Sequence, residues 1–283
     1  MKNSLTLSAL LASFAALSAC GGNTADPNAI QSGENVGNLA VSYGENVGNL
    51  AVSYGENVGN LAVSYNEVDN TLTVTDGVVE YTYVQNSEGD NGAIAGFKRD
   101  ADSWNDYSLR GETSSGSGEA FLVNSTENGY EAAATFLNRL ETPNLPTSGT
   151  ASFSGDYSGV VFENDDEDSV WHDIITGDAT LDANFSDSTV SGSIINRDSD
   201  ETGDRDNVTL SVSSISNGAF SGTASGGGGG SPNGIYVVSD GTYEGMFTGA
   251  DASEVIGSIN IPMTSDGYSG FEMGIFIAEE VTP

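Results

Sequence analysis

The stretch DATLDANFSDSTVSGSI, Asp178 to Ile194, decides the fold class. Ala179, Leu181, Ala183 and Phe185 alternate with Asp178, Thr180, Asp182 and Asn184; Ser186-Asp187-Ser188 then turns the chain into Val190, Gly192 and Ile194. Alternate side chains of a strand point to opposite faces, so this is a hairpin with one dry face. The pattern continues on both sides. Phe153, Tyr157 and Val161 oppose Ser154, Asp156 and Ser158, while Val208, Leu210 and Val212 alternate with Thr209, Ser211 and Ser213. Asn217-Gly218 marks a turn into Phe220, Gly222 and Ala224. Ile235 to Val238, Tyr243 to Phe247, Val255 to Ile261 and Phe271 to Ile277 bring the total to eight or nine strands. That number closes a small antiparallel up-and-down barrel filled by its own side chains. Glycines within the strands permit the bends of closure.

The rest of the chain is also all-β in composition, with 37 Gly and short alternating stretches. Glu131 to Leu140 (EAAATFLNRL) has helical propensity, but its β-like neighbours favour a strand. The 11-residue unit GENVGNLAVSY occurs three times without change, at Gly33–Tyr43, Gly44–Tyr54 and Gly55–Tyr65. Three such units bury too little apolar surface to stand alone. The last copy runs into Asn66-Glu67-Val68-Asp69-Asn70 and Thr71-Leu72-Thr73-Val74, so LAVSY and TLTV read as the arms of a hairpin. One copy is therefore expected to belong to the fold and the others to lengthen a tether, with little loss of stability on deleting Gly33–Tyr54.

At the N-terminus, Lys2 precedes the apolar run Leu5–Leu17, which has the charge and length of a secretory signal peptide. A membrane-spanning helix needs about 20 residues. Leu17-Ser18-Ala19-Cys20 follows and resembles a lipobox, which implies cleavage before Cys20 and acylation of its thiol. Cys20 is the only cysteine and has no disulfide partner. Two or three acyl chains at about 0.8 kcal/mol per buried CH₂ would hold the chain to a membrane. The resemblance to enterobacterial sorting, with Gly21 where a retention signal places Asp, favours the outer membrane. The expected organisation is a signal peptide over 1–19, a lipidated tether over 20–60, a small β segment over 61–146 and a barrel over 147–283.

Cleavage leaves 41 acidic against six basic side chains. Such a surface repels nucleic acid and anionic lipid. A transmembrane barrel uses the same alternation, but strands that mix Gly and Ser into the apolar face, an anchor already present and a final Glu279-Glu280-Val281-Thr282-Pro283 without a terminal aromatic argue against it.

In the C-terminal third, Gly241-Thr-Tyr-Glu-Gly-Met-Phe-Thr-Gly249, with Ala250-Asp-Ala-Ser-Glu-Val-Ile-Gly-Ser-Ile259, looks like the closing signature of the transferrin-binding protein B family, whose lipoprotein barrel it resembles. Phe271–Ala278 is similar to its final strand and Ser148–Gly159 to its first. Residues 61–146 look like the smaller β segment of environmental members. The resemblance implies a surface or periplasmic solute-binding lipoprotein, working beside a TonB-dependent receptor and sometimes delivered by the surface lipoprotein assembly modulator. It identifies no ligand-contacting residue and does not imply transferrin. Phe153, Tyr157, Tyr243 and Phe247 are read as barrel core.

No catalytic constellation emerges. His172, the only histidine, sits in VWHDII without a nucleophile motif. It reads as a solvent-facing strand residue, with axial haem ligation the alternative implied by haem-capturing relatives. Gly226–Gly230 has no following Lys-Ser/Thr and no helix, so it reads as a flexible loop and not a phosphate cradle. Asn196–Asn207 places Asp198, Asp200, Asp204 and Asp206 around Gly203 as calcium loops do, although Thr202 fills one ligand position and Thr209 replaces the bidentate Glu. Asn164-Asp165-Asp166-Glu167-Asp168 is a second acidic cluster. The ordinary reading of both is solvated barrel loops; the alternative is weak calcium binding.

Overall fold

The computed structural model describes residues 51–54, 62–75, 80–99, 107–127, 130–140, 142–165, 169–231, 234–238, 240–265 and 268–281. The expected signal peptide, Cys20 and the first repeat lie outside the described residues. Two antiparallel sheets account for the fold. The first contains β1 (Ala51–Tyr54), β2 (Ala62–Asn66), β3 (Thr71–Thr75), β4 (Glu80–Asn91), β5 (Ile94–Lys98), β6 (Tyr107–Glu112), β7 (Gly118–Glu127) and β8 (Tyr130–Arg139), in the order β1-β8-β7-β6-β5-β4-β3-β2. The Glu131–Leu140 stretch is strand up to Arg139, as its surroundings require. Seven gaps of about 4.8 Å would put β1 and β2 about 34 Å apart in a flat sheet. The seven residues joining them reach about 28 Å, so the sheet must curl.

The second sheet begins with β9 (Thr150–Asp165), β10 (Ser169–Asn184), β11 (Thr189–Ser199), β12 (Gly203–Asp204), β13 (Val208–Ser214) and β14 (Ala219–Gly226). It continues with β15 (Gly229–Ser231), β16 (Gly234–Val238), β17 (Gly241–Thr248), β18 (Glu254–Ser265) and β19 (Tyr268–Glu280). Because β19 pairs with both β18 and β9, the strands β9, β10, β11, β13, β14, β17, β18 and β19 close into an eight-stranded barrel. The β10–β11 hairpin has the expected register, with Ala179 opposite Ile194 and Leu181 opposite Gly192. Asn217 and Gly218 both take positive φ at the tight turn into β14.

Phe153, Tyr157, Leu181, Phe220, Tyr243, Phe247 and Phe276 fill the barrel. The strand glycines make room for these rings. A Cβ on Gly257 would lie 2.0 Å from Phe276 Cζ, and one on Gly274 would lie 2.3 Å from the Tyr157 hydroxyl. Ring and glycine sit on adjacent strands, so a small barrel holds large side chains at native density.

The first sheet packs on the outside of the barrel wall. Ile94, Leu109, Ala120, Leu122, Ala133 and Leu137 meet Val160, Phe162, Met246, Ile256, Phe271, Met273, Ile275 and Ile277. The wall strands are therefore buried on both faces, which is why FEMGIFIA lacks alternation. The curled sheet keeps a separate core on its other side, built on Leu72, Tyr83, Phe97 and Phe121. The uncovered barrel wall carries exposed Asp182, Thr209, Ser221 and Thr223, with Val212 an exposed apolar residue among them, a pattern unlike a lipid-facing band.

Polar pins fix the register of the two sheets. Asn91 donates its side-chain amide to the carbonyls of Tyr157 (2.9 Å) and Gly177 (2.7 Å), and the Ala93 N–H reaches Asp156 Oδ2 at 2.8 Å. Glu254, at the start of β18, is 4% exposed. Its Oε1 accepts the Ser115 N–H (2.9 Å) and the Ser114 hydroxyl (3.1 Å), and its Oε2 accepts the hydroxyls of Ser115 (2.6 Å) and Ser117 (2.7 Å). Burial alone would raise this carboxyl; the donors outweigh burial and hold it below the usual carboxylate range.

A depressed carboxyl contributes stability above its unfolded value and loses it as pH falls through the folded one. Glu254→Ala is expected to cost about 2–4 kcal/mol at neutral pH, the scale of charged hydrogen bonds left unmade. Urea unfolding should show the deficit shrinking toward pH 3.

Candidate functional site

The two ends of the barrel differ. At one end the chain enters at Thr150 and leaves after Glu280, and the connections are the tight turns 185–188, 215–218 and 249–253. Phe153, Phe185, Phe220 and Phe247 close it, with ring centroids 5.5 to 5.6 Å apart. At the other end lie the long connections 200–207 and 227–240. Binding surfaces concentrate on such loops carried by a rigid scaffold.

The long-loop end is sealed from within by charge. Arg197 on β11 donates to both carboxylate oxygens of Glu272 on β19, Oε1 at 2.5 Å, and also to the carbonyl of Asp206. The Tyr157 hydroxyl donates to Glu272 Oε1 at 2.5 Å. Arg205 lies 3.1 Å from Asp173 Oδ2, which also accepts the hydroxyls of Ser199 and Thr202 (3.2 Å). All four charged side chains are fully buried. Burial, with the adjacent Glu272 carboxylate, pushes the Tyr157 phenol well above its usual value. Burial acts to lower the Arg197 guanidinium, and Glu272 overcomes it and raises it.

The glycine run closes over these arginines. A Cβ on Gly227 would lie 3.2 Å from Arg197 Nη1, and one on Gly229 would lie 3.0 Å from Arg205 Cδ. Gly226 and Gly227 take φ of +92° and +90°, a region open to glycine. The Asp206 N–H bonds to the Gly228 carbonyl at 2.9 Å. The run was expected to be a flexible loop; it supplies the end of β14 and the start of β15 and lies on the ionic core.

Around this core stands an acidic collar. Asp198 faces Asp204 across the β11–β12 pairing, and Asp198, Asp200, Asp204 and Asp206 are all exposed. Among the described residues no three His, Cys, Asp or Glu side chains are grouped so as to hold a metal ion. Partial burial raises the Asp200 carboxyl, with help from Asp173, Glu88, Asp198 and Glu201. The interleaved Arg197 and Arg205 turn inward, a role the alternation of Asp and Arg could have signalled. Asp173 and Glu272 were missed because the partners that bury them are distant in sequence.

The six basic residues after Lys2 are all engaged internally. Lys98, Arg139, Arg197 and Arg205 are buried, Arg110 pairs with Glu112 (2.8 Å) and Glu119 (2.7 Å), and Arg99 lies over the Tyr81 ring. The surface charge is thus almost wholly acidic. His172 was expected to face solvent; it is 9% exposed and stands edge-on to Phe162, with centroids 5.0 Å apart, on the outer face of β10. The aromatic residues beside it on the wall, not the local alternation, bury it. Glu244 on the outer face of β17 is raised to about 7 by burial, against a hydrogen bond from Ser258, which is itself bonded by Thr135 of β8 at 3.2 Å.

The fold and its sealed interior define a self-filled antiparallel barrel with a curled sheet on its wall. Residues 145–279, just under half of the chain, match the family described as the C-lobe and N-lobe beta barrels of Tf-binding protein B. Similar solved structures include a transferrin-binding protein B double mutant from Haemophilus parasuis Hp5, 16% identical, covering 76% of this chain and 41% of that one, with a TM-score of 0.44. Another is isotype 1 transferrin-binding protein B from serogroup B Neisseria meningitidis, 17% identical, covering 82% and 43%, with a TM-score of 0.41. The chain spans about two-fifths of the length of these two relatives. No curated protein matches it.

Arg197→Met strands a buried carboxylate and should cost about 3–5 kcal/mol, whereas adding Glu272→Leu should restore most of it; a denaturant double-mutant cycle reads the coupling. A raised carboxyl weakens the fold as it ionises, so stability should fall from about pH 4.5 to about pH 7 by an amount that Glu244→Gln removes in pH-dependent melting curves.

Proposed function

We propose that the chain is an outer-membrane-anchored lipoprotein, held by lipid on Cys20 and displayed at the cell surface, that binds a ligand at the long-loop end of its barrel. The observation that carries this reading is the sealed interior. Phenylalanines fill one end and two buried ion pairs the other, so recognition falls to the outer surface and its acidic collar. A collar without free basic side chains selects a cationic patch on a protein or solute, through steering that salt weakens. The solved relatives are named for transferrin binding; for this chain the ligand is defined by charge alone. The family resemblance supports a TonB-dependent receptor as partner and the surface lipoprotein assembly modulator as delivery route. A second reading, a structural or adhesive surface protein without a small-molecule ligand, is favoured by the three identical repeats.

Palmitate labelling and protease shaving of intact cells test the placement. Cys20→Ser should lose the label and move to the soluble fraction, and shaving should remove the unaltered protein. Protection from protease would reject surface display. For the ligand, joint replacement of Asp198, Asp200, Asp204 and Asp206 by Asn should reduce capture from native medium at least tenfold with little change in melting temperature. Unchanged capture would move recognition elsewhere and leave the adhesive reading.

A further inference from the structure

Two of the three identical repeats contribute strands to the first sheet. Its two edges carry the same tetrapeptide. β1 is AVSY from the second copy and β2 is AVSY, plus Asn66, from the third. β1 pairs with β8 as Ala51↔Ala134, Val52↔Ala133, Ser53↔Ala132 and Tyr54↔Glu131, and β2 pairs with β3 as Val63↔Val74 and Tyr65↔Leu72. Ala51–Tyr54, expected to be tether, is thus part of the sheet. Deleting Gly33–Tyr54 would remove the strand that covers the β8 edge.

The third copy is fixed at β2 by its direct hairpin to β3. The β8 edge has no such constraint. The first copy, Gly33–Tyr43, is identical to the second at all 11 positions. The backbone pairing that the second copy makes with β8 is equally open to the first. We propose that the edge of β8 is a docking site for an AVSY strand with two alternative occupants in the same chain, the second copy and the first.

Only the length of the connection to β2 separates the two states. It is seven residues (55–61) from the second copy and 18 residues (44–61) from the first. Loop-closure entropy grows as three-halves of the logarithm of length, so the shorter connection is favoured about fourfold. The exchange also moves the anchor. From Cys20 to the docked strand there are 30 residues when the second copy is bound and 19 when the first is bound. At about 3.5 Å per residue the reach differs by about 38 Å. The repeats thus act as a two-position spacer, whose length change needs no change in the sheet.

Cysteine pairs read the occupant directly. In the full chain carrying Cys20→Ser, Ala132→Cys is combined with Ser53→Cys, with its equivalent Ser42→Cys in the first copy, or with Ser64→Cys in the third. Brief oxidation should give an intramolecular crosslink in most Ser53→Cys chains, in about one-fifth of Ser42→Cys chains and in none with Ser64→Cys. Absence of the Ser42→Cys crosslink, or its formation only between chains, would overturn the proposal. Copy number supplies an independent check. A chain with two copies should melt as the three-copy chain does, and a chain with one copy should melt lower; a drop on losing the first copy would count against exchange.

Discussion

The structure depends on one shared wall. The outward side chains of β9, β18 and β19 form the floor on which the first sheet packs, while their inward side chains fill the barrel. At about 25 cal/mol per Å² of apolar area buried, strands used on both faces contribute twice as much as strands with a wet side. The composition of the two halves follows from this. The wall strands carry Phe271, Met273, Ile275 and Ile277 outside and Phe276 and Ala278 inside, whereas the uncovered strands place Ser and Thr outside. Glu254 stands at the edge of the wall, where a carboxylate cannot be buried without donors. The serine-rich turn of the first sheet provides them, so the docking of the two sheets and the solvation of that charge are one event.

The same economy governs the basic residues. A chain this acidic has few cations to pair, and the fold places all six that follow Lys2 in internal contacts. Two of them neutralise Asp173 and Glu272 at the end of the barrel where the interior would otherwise admit water. Buried pairs are weak sources of stability, because desolvation consumes most of the attraction. Their effect here is positional. They require Arg197 and Arg205 to point inward, which draws the glycine run down over them and turns the aspartates of the same loop outward. The acidic collar is therefore a consequence of how the barrel is closed as much as of its charge.

Much of this was legible in the sequence. Period-2 alternation located the Asp178–Ile194 hairpin, the turn at Asn217-Gly218 and the inward Phe153 and Tyr157, because each has one wet face or one obligatory turn. The two-faced wall was harder to read. In β18 and β19 both faces are apolar, so periodicity marks a strand without saying what lies on its far side. His172 was misread for that reason: its strand continues beyond the solvated wall to Phe162, a residue of the preceding strand. The ionic end was legible only as an acidic loop. Arg197 meets Glu272 75 residues away, and no local pattern predicts such a partner.

The repeats expose a limit of a different kind. A sequence normally selects one register because each strand presents its own pattern to its neighbour. Three identical units remove that selection among themselves. What remains is topology: the copy nearest β3 is claimed by a short hairpin, and the others differ only in the length of chain that trails from them. Such a sheet keeps its specificity where the hydrophobic wall is and gives it up at one edge. The cost is small, since an edge strand contributes pairing on one side only. The consequence is confined to the length of chain that precedes the docked strand, and the barrel is left unchanged.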